Sequence, residues 1–250
     1  RIQSREHTLY LVNLQAPVVL IQNLETTFKE PFASDPQILE VIGKAHRRLQ
    51  RVMTKLYPGN LVLSLSAGII HRRLIEKITD LNGVPLTPLF PRKLGPYMCV
   101  PFGKILRNKA VPNTVTKTLH TDKVFQPDIR SFSIEAYPYY SPLANQIRTI
   151  HSFMRPVVLV DDLLHAGARI QALKPLLEKE AIQVERILVG LLSGKGRDLM
   201  RLQQLPVDCI YYIPNMKKWF VESSLYPFIG GDTVRREKAP VAGLMPSVNL

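Results

Sequence analysis

Between residues 155 and 213 the chain alternates in kind. RPVVLV, VERILVGLLS and VDCIYYIP are apolar runs of strand length, and GARIQALKPLLEKE and GRDLMRLQQL between them carry apolar residues at helical spacing. Parallel strands need a crossover of a dozen or more residues, and a helix is the usual one. Strands too apolar to keep a wet face, joined by helices, predict an α/β fold: a mostly parallel sheet flanked by helices on both faces. Pro175 lies inside the first of these helices and predicts a kink or a later start, because proline removes an intrahelical hydrogen bond.

The first half of the chain alternates less regularly. LYLVNLQAPVVLIQNL reads as strand broken at Pro17, and SDPQILEVIGKAHRRLQRVMTKLY as a helix capped by Ser34 or Asp35, with Pro36 in its first turn. Ile38, Val41, Ile42 and Ala45 would form that helix's core face. PGNLVLSLSAGII gives a turn and a strand ending at Ser66-Ala67-Gly68, HRRLIEKITDLNG a helix stopped by Gly83, and VPLTPLFPRKLG another strand. From Pro96 to Ile150, six prolines and the polar tract NTVTKTLHTDK predict a long flexible loop, with RSFSIEAYPYY as an antiparallel strand or hairpin.

At 250 residues, with 46% hydrophobic and 21% charged residues, the chain can bury a sizeable core, and neither disorder nor a membrane protein is expected. APVVLI and RILVGLL fall far short of the roughly 20 residues of a membrane helix. The N-terminus shows no secretory h-region or cleavage site, and Cys99 and Cys209 form no C-x-x-C pair, so a reducing, cytoplasmic compartment is expected. The chain begins at Arg1 rather than Met, which suggests part of something longer. The net charge of +13 favours phosphate-bearing partners, whether nucleotides, a phosphorylated sugar or nucleic acid, and the scattered bases do not choose among them.

Asp161 and Asp162 follow the buried run VVLV directly. In open α/β sheets, ligands bind beyond the carboxyl ends of the strands, where loops lead into helix N-termini that favour anions. Two carboxylates there can accept hydrogen bonds from a sugar diol, and the backbone N–H groups of 165–169 can wrap a phosphate. An ordinary strand, turn and helix with an aspartate cap would use the same residues.

At this point VVLVDDLLHAGAR resembles the signature of type I phosphoribosyltransferases: an apolar strand, two acids, and a short loop usually ending Thr-Gly-Gly-Thr. The resemblance implies that Asp161 and Asp162 bind the ribose hydroxyls of phosphoribosyl pyrophosphate and that His165, Ala166, Gly167, Ala168 and Arg169 hold its 5-phosphate. Ala166, Ala168 and Arg169 depart from the pattern; Arg169 would replace lost hydroxyls with a fork of charged donors. His165 falls where hypoxanthine-guanine phosphoribosyltransferases carry an acid proposed as general base, a role an imidazole could fill near neutral pH.

Upstream, Ser66, Ala67 and Gly68 resemble the family's short pyrophosphate loop, and Arg92-Lys93 resembles a basic pair of adenine phosphoribosyltransferases that stabilises the leaving group. The stretch Pro101 to Arg148, with Lys104, Lys109, Lys117 and Lys123, lies where the family carries a mobile loop that closes over substrate. YYIPNMKKWF resembles the base-binding region, with Trp219 to stack and Lys217 or Lys218 to donate to a ring oxygen. The implied organisation is an N-terminal extension over 1–57, a phosphoribosyltransferase-like core over 58–231 and a tail over 232–250. The implied activity transfers the phosphoribosyl group to a nucleobase-like nitrogen acceptor and releases pyrophosphate, with magnesium arriving on the diphosphate. A homodimer paired through the N-terminal segment is expected.

Two other readings stay open: a non-catalytic relative that regulates or binds nucleic acid, and one module of a longer nucleotide-metabolism protein. GLLSGKG has the wrong spacing for a phosphate-binding P-loop, the histidines show no H-x-x-x-H or H-E-x-x-H spacing, and no G-x-S-x-G elbow occurs.

Overall fold

The computed structural model describes residues 16–106, 109–226 and 229–235, and the backbone alone at 9–10. The elements begin with β1 (Leu9–Tyr10), β2 (Val18–Gln22), α1 (Leu24–Thr27), α2 (Pro36–Leu56), β3 (Val62–Ser66) and α3 (Ala67–Asn82). They continue with β4 (Met98–Pro101), β5 (Val115–Thr116), β6 (Thr121–Phe125), β7 (Phe132–Ala136), α4 (Leu143–His151), β8 (Val157–Leu164) and α5 (Ala168–Lys179). The last are β9 (Val184–Ser193), α6 (Gly194–Leu202), β10 (Val207–Ile213), β11 (Lys218–Val221), a 3-10 turn (Glu222–Leu225) and β12 (Thr233–Val234). The chain divides into two compact units, one from Arg1–Leu11, His71–Asp122 and Ile134–Pro214, the other from Val12–Ile70, Lys123–Ser133 and Asn215–Leu250. The span 58–231 contributes to both.

The first unit holds a six-stranded sheet in the order β1-β10-β9-β8-β4-β5, parallel at every pairing. Val157, Val158, Leu159 and Val160 of β8 are all fully buried, and successive strand side chains face opposite ways, so both faces are covered. Val157 and Leu159 share a core with Ile147 and Ile150 of α4, Ile170, Leu173 and Leu177 of α5, and Met200 of α6. Each such side chain contributes about 1.5 to 3 kcal/mol. The α/β class read from the alternation of residues 155–213 is the observed one. Cys99 and Cys209 sit buried on β4 and β10, three strand spacings apart, roughly 14 Å and beyond disulfide reach.

α5 runs through Pro175 to Lys179 without dividing. Pro175 and Gln171 are both exposed, so the Gln171 carbonyl that loses its amide partner faces water. Residues 84–95 form no strand; Pro85, Pro88 and Pro91 remove donors a ladder needs, and β4 starts only at Met98. Nor is 101–148 one irregular loop, since it contains β5, β6, β7 and most of α4. Its order rests on satisfied polar groups that hydropathy does not reveal: Thr121 Oγ1 donates to the Phe102 carbonyl at 2.6 Å, and Gln146 accepts from the His120 N–H at 2.8 Å.

The second unit holds a parallel sheet in the order β11-β2-β3, with Val18 to Ile21 buried, and a small sheet in which β12 pairs with Val124 and Phe125. α2 starts as expected: Asp35 accepts from the N–H groups of Gln37 at 2.8 Å and Ile38 at 3.2 Å, and Pro36 occupies the first turn. Ile42 and Met53 are buried, whereas Val41, expected in the core, is 62% exposed. Asn23 ties the end of β2 to the 3-10 turn, donating to Ser223 Oγ and accepting from its N–H, both at 2.8 Å. Beside that clasp lies Glu222, fully buried, with His46 Nε2 2.8 Å from its carboxylate.

Among the described residues, no helix is long and apolar enough to cross a membrane.

Candidate functional site

The strand order of the first unit marks one place on its edge. From β4 the chain turns outward to β5, and from β8 it crosses through α5 to β9 on the other side. Connections that leave two neighbouring strands in opposite directions open a crevice at their carboxyl ends, the usual ligand position in such sheets. β4 stops pairing at Pro101, opposite Val160, and the next two residues of β8 are Asp161 and Asp162. The acids thus lie within β8, which extends to Leu164, rather than in the loop after it.

Asp161 is buried and Asp162 half-buried, and both reach the same guanidinium: Arg169 Nη1 is 3.0 Å from Asp161 Oδ1 and 3.7 Å from Asp162 Oδ1. The Asp162 N–H donates to Asp161 Oδ1 at 2.8 Å, and the Lys104 N–H to Asp162 Oδ1 at 3.0 Å. Burial pushes the Asp161 carboxyl well above the ordinary carboxylate range, against the pull of Arg169, and the neighbouring Asp162 pushes the same way. Burial acts likewise on Asp162, but the Asp161 hydrogen bond, Arg169 and the two backbone N–H groups outweigh it and hold Asp162 well below that range. The two acids are thus pushed apart, Asp161 toward its protonated form and Asp162 toward its ionised one, on either side of one guanidinium.

Gly103 completes the enclosure. A Cβ at this position would collide with Asp161 Oδ1 and Asp162 Oδ1, so only glycine lets the segment after β4 lie against the acids. Gly103→Ala is expected to lower stability by about 1 to 3 kcal/mol through overpacking. Urea unfolding checks this, and an unchanged midpoint would mean that the segment does not lie on the acids.

Beyond the acids, His165 to Gly167 turn the chain into α5. Gly167 takes the left-handed conformation, φ 68°, and no side chain caps the helix, leaving the first-turn N–H groups of α5 to other acceptors. Ala166 is exposed, Ala168 opens the helix and Arg169 is its second residue, with its guanidinium on the acids rather than over the turn. His165 Nδ1 is 2.8 Å from Ser193 Oγ, which also accepts from the Gly196 N–H at 3.1 Å and so caps α6. Burial, with Lys195 adding to it, lowers the His165 pKa, so the imidazole is neutral near pH 7 and able to take a proton.

Other expected site residues lie elsewhere. Ser66 ends β3 and Ala67 and Gly68 begin α3, with no loop between; β3 belongs to the sheet of the second unit. Arg92 and Lys93 are exposed on the irregular segment before β4. Lys218 and Trp219 are on β11, paired with Val18 and Val19 in the second unit. Lys104 meets the acids through its backbone, Lys117 N–H donates to the Cys99 carbonyl, and Lys123 Nζ lies over the Phe125 and Phe132 rings. Gly103 and Ser193 were not anticipated as site residues; the Ser-Gly-Lys-Gly run at the end of β9 carried an N-cap signal for Ser193, and nothing in the spacing marked Gly103.

No family model matches this chain, and no curated protein matches it.

Proposed function

We propose that this chain binds phosphoribosyl pyrophosphate at the carboxyl end of β8, as a type I phosphoribosyltransferase-like protein. The observation that carries the reading is the acid pair at the switch point between β4 and β8, followed directly by the uncapped start of α5. Asp161 and Asp162 would accept from the ribose hydroxyls, and the N–H groups at the head of α5 would donate to the 5-phosphate. Two carboxylates are hard oxygen donors that suit magnesium, and among the described residues no group of three His, Cys, Asp or Glu side chains gathers to hold a metal. That donor set fits an ion carried chiefly by the diphosphate and water. Magnesium would supply charge neutralisation on the departing pyrophosphate.

In a transfer to a nucleobase-like nitrogen, the chain's contribution would be positioning and electrostatics: the acids fix the sugar, the helix start fixes its phosphate, and neutral His165 takes the acceptor's proton. Enclosure by Gly103 and Lys104 would keep water from the sugar cation.

A non-catalytic, regulatory relative is the second reading, and one contact favours it. Arg169 already occupies Asp161, so a sugar diol must displace a half-buried guanidinium before the acid is available.

The test is calorimetric titration with phosphoribosyl pyrophosphate and magnesium, beside Asp161→Asn/Asp162→Asn with its fold checked by circular dichroism. Saturable heat lost in the folded double variant supports the site, and pyrophosphate release with a nitrogen acceptor separates transferase from regulator. No heat up to about a millimolar, where a binding free energy near 4 kcal/mol still registers, would overturn the proposal.

A further inference from the structure

Helix α2 of the second unit carries more positive charge than its surroundings balance. Lys44, Arg47, Arg48, Arg51 and Lys55 are all exposed, and at 100° per residue they fall within an arc of about 100° around the helix. Ile42 and Met53 are buried on the opposite side, so this arc is the outward pole. Glu40 is the one acid on the helix and pairs with Lys44 at 2.6 Å. Among the described residues, Arg47, Arg48, Arg51 and Lys55 form no ion pair. Other helices pair some of their cations locally, as Lys174 with Glu178 and Arg197 with Asp198, and their unpaired exposed cations, Arg72, Lys179, Lys195 and Arg201, are not gathered in such a row.

The arrangement costs the helix stability. Lys44 with Arg48, Arg47 with Arg51 and Arg51 with Lys55 are like charges four residues apart, a spacing at which they repel on a helix surface. Among the described residues, only Glu40, at Lys44, relieves them, and Arg47, Arg48, Arg51 and Lys55 have no acid partner, which points to a counter-charge from outside the chain. The cations form a band roughly 16 Å long, with successive rises of about 1.5 to 6 Å, and three of the five are arginines, whose forked donors match phosphate oxygens. A partner with repeating phosphates meets such a band; a protein interface would need an apolar centre, and this pole has none. Insertion into a membrane surface would need apolar side chains on the same pole, whereas exposed Val41 and Val52 lie to its flank.

We infer that the outward face of α2 binds the phosphate backbone of a nucleic acid, independently of sequence and of the β8 site.

The experiment measures fluorescence anisotropy of a labelled mixed-sequence DNA duplex and a labelled mixed-sequence RNA strand against the full chain over a salt series. The comparison is with Arg47→Ala/Arg48→Ala/Arg51→Ala and with a control of equal charge loss off the helix, Lys29→Ala/Arg130→Ala/Arg201→Ala. Binding by the native chain is expected, and the α2 variant should lose about tenfold or more in affinity at low salt, with a duplex salt slope shallower by roughly 2 to 3. The control should keep most of both. If the α2 triple variant fails to fold, Arg47→Gln/Arg51→Gln serves, with a proportionately smaller change in slope. Equal losses in the two triple variants would reduce the effect to net charge and overturn the assignment. So would absence of binding to both nucleic acids, including the case in which vesicles of phosphatidylserine and phosphatidylcholine are bound instead.

Discussion

Replacing Arg169 with methionine is expected to cost about 3 to 5 kcal/mol of unfolding free energy near pH 7.5, the range for removing one partner of a buried ion pair. Methionine keeps much of the side chain's volume and lets the loss of charge dominate. Arg169 is the one ion-pair partner of the Asp161–Asp162 pair among the described residues, so the variant leaves the charge of that pair with only the backbone N–H groups of Asp162 and Lys104 as partners. The sign with pH follows from Asp162. Its pKa is held below the ordinary value in the native chain, partly by Arg169, which contributes stability above the unfolded pKa and loses it as pH falls through the folded one. Without Arg169 the folded pKa rises, and the variant deficit accumulates between the native and variant values. The deficit should therefore be smaller at about pH 3 than at about pH 7.5, because below the ordinary carboxylate value of 3.8 Asp162 protonates in the variant before it does in the native chain. Urea unfolding of both proteins at the two pH values measures this, and an equal deficit at both would show that packing of the Arg169 stem is what matters.

That Arg169 lies on the acids, rather than over the phosphate turn, follows from helix geometry the sequence motif does not express. Side chains in a first helical turn tilt back toward the N-terminus. Arg169 is the second residue of α5, so its side chain leans over the turn to the strand that precedes it. The strands and helices of 155–213 were legible because their apolar runs are long and uninterrupted, and the start of α2 because Asp35 and Pro36 use local chemistry alone. Pairing between distant segments was not legible: β11 joins β2 about 200 residues away, and KWFV has no alternation to advertise a strand. The same holds for β6, whose buried positions include Thr121 and Asp122 and whose order depends on hydrogen bonds rather than hydropathy. Gly103 belongs to this class too, since its requirement arises only when β4 and β8 are side by side.

Glu222→Gln is expected to stabilise the protein in alkaline solution by up to about 3 kcal/mol, an unusual direction for a change at a fully buried position. Burial pushes the Glu222 carboxyl from the ordinary 4.5 to about 7, against the backbone N–H groups of Asn23 and Leu24, and Glu25 adds to the rise. A folded pKa above the unfolded one means that the native state binds the extra proton, so stability falls as pH climbs from about 4.5 to about 7 and stays reduced above it. At about 1.4 kcal/mol per pH unit, that window sets the size of the effect. His46 works in the opposite sense: burial lowers its pKa, the native state disfavours its proton, and its contribution grows with pH up to the ordinary 6.5. The native profile sums the two trends, and Tyr226, raised by burial and by Glu222, titrates well above this range. Glutamine has the shape of the protonated acid and cannot ionise, and its side-chain oxygen can still face His46 Nε2. The difference between variant and native chain should therefore be near zero at about pH 4.5, grow through neutrality and level off above about pH 8. Urea midpoints across that range decide it: a difference flat with pH, or a variant less stable at pH 8, would mean that Glu222 is ionised and supported in the native fold.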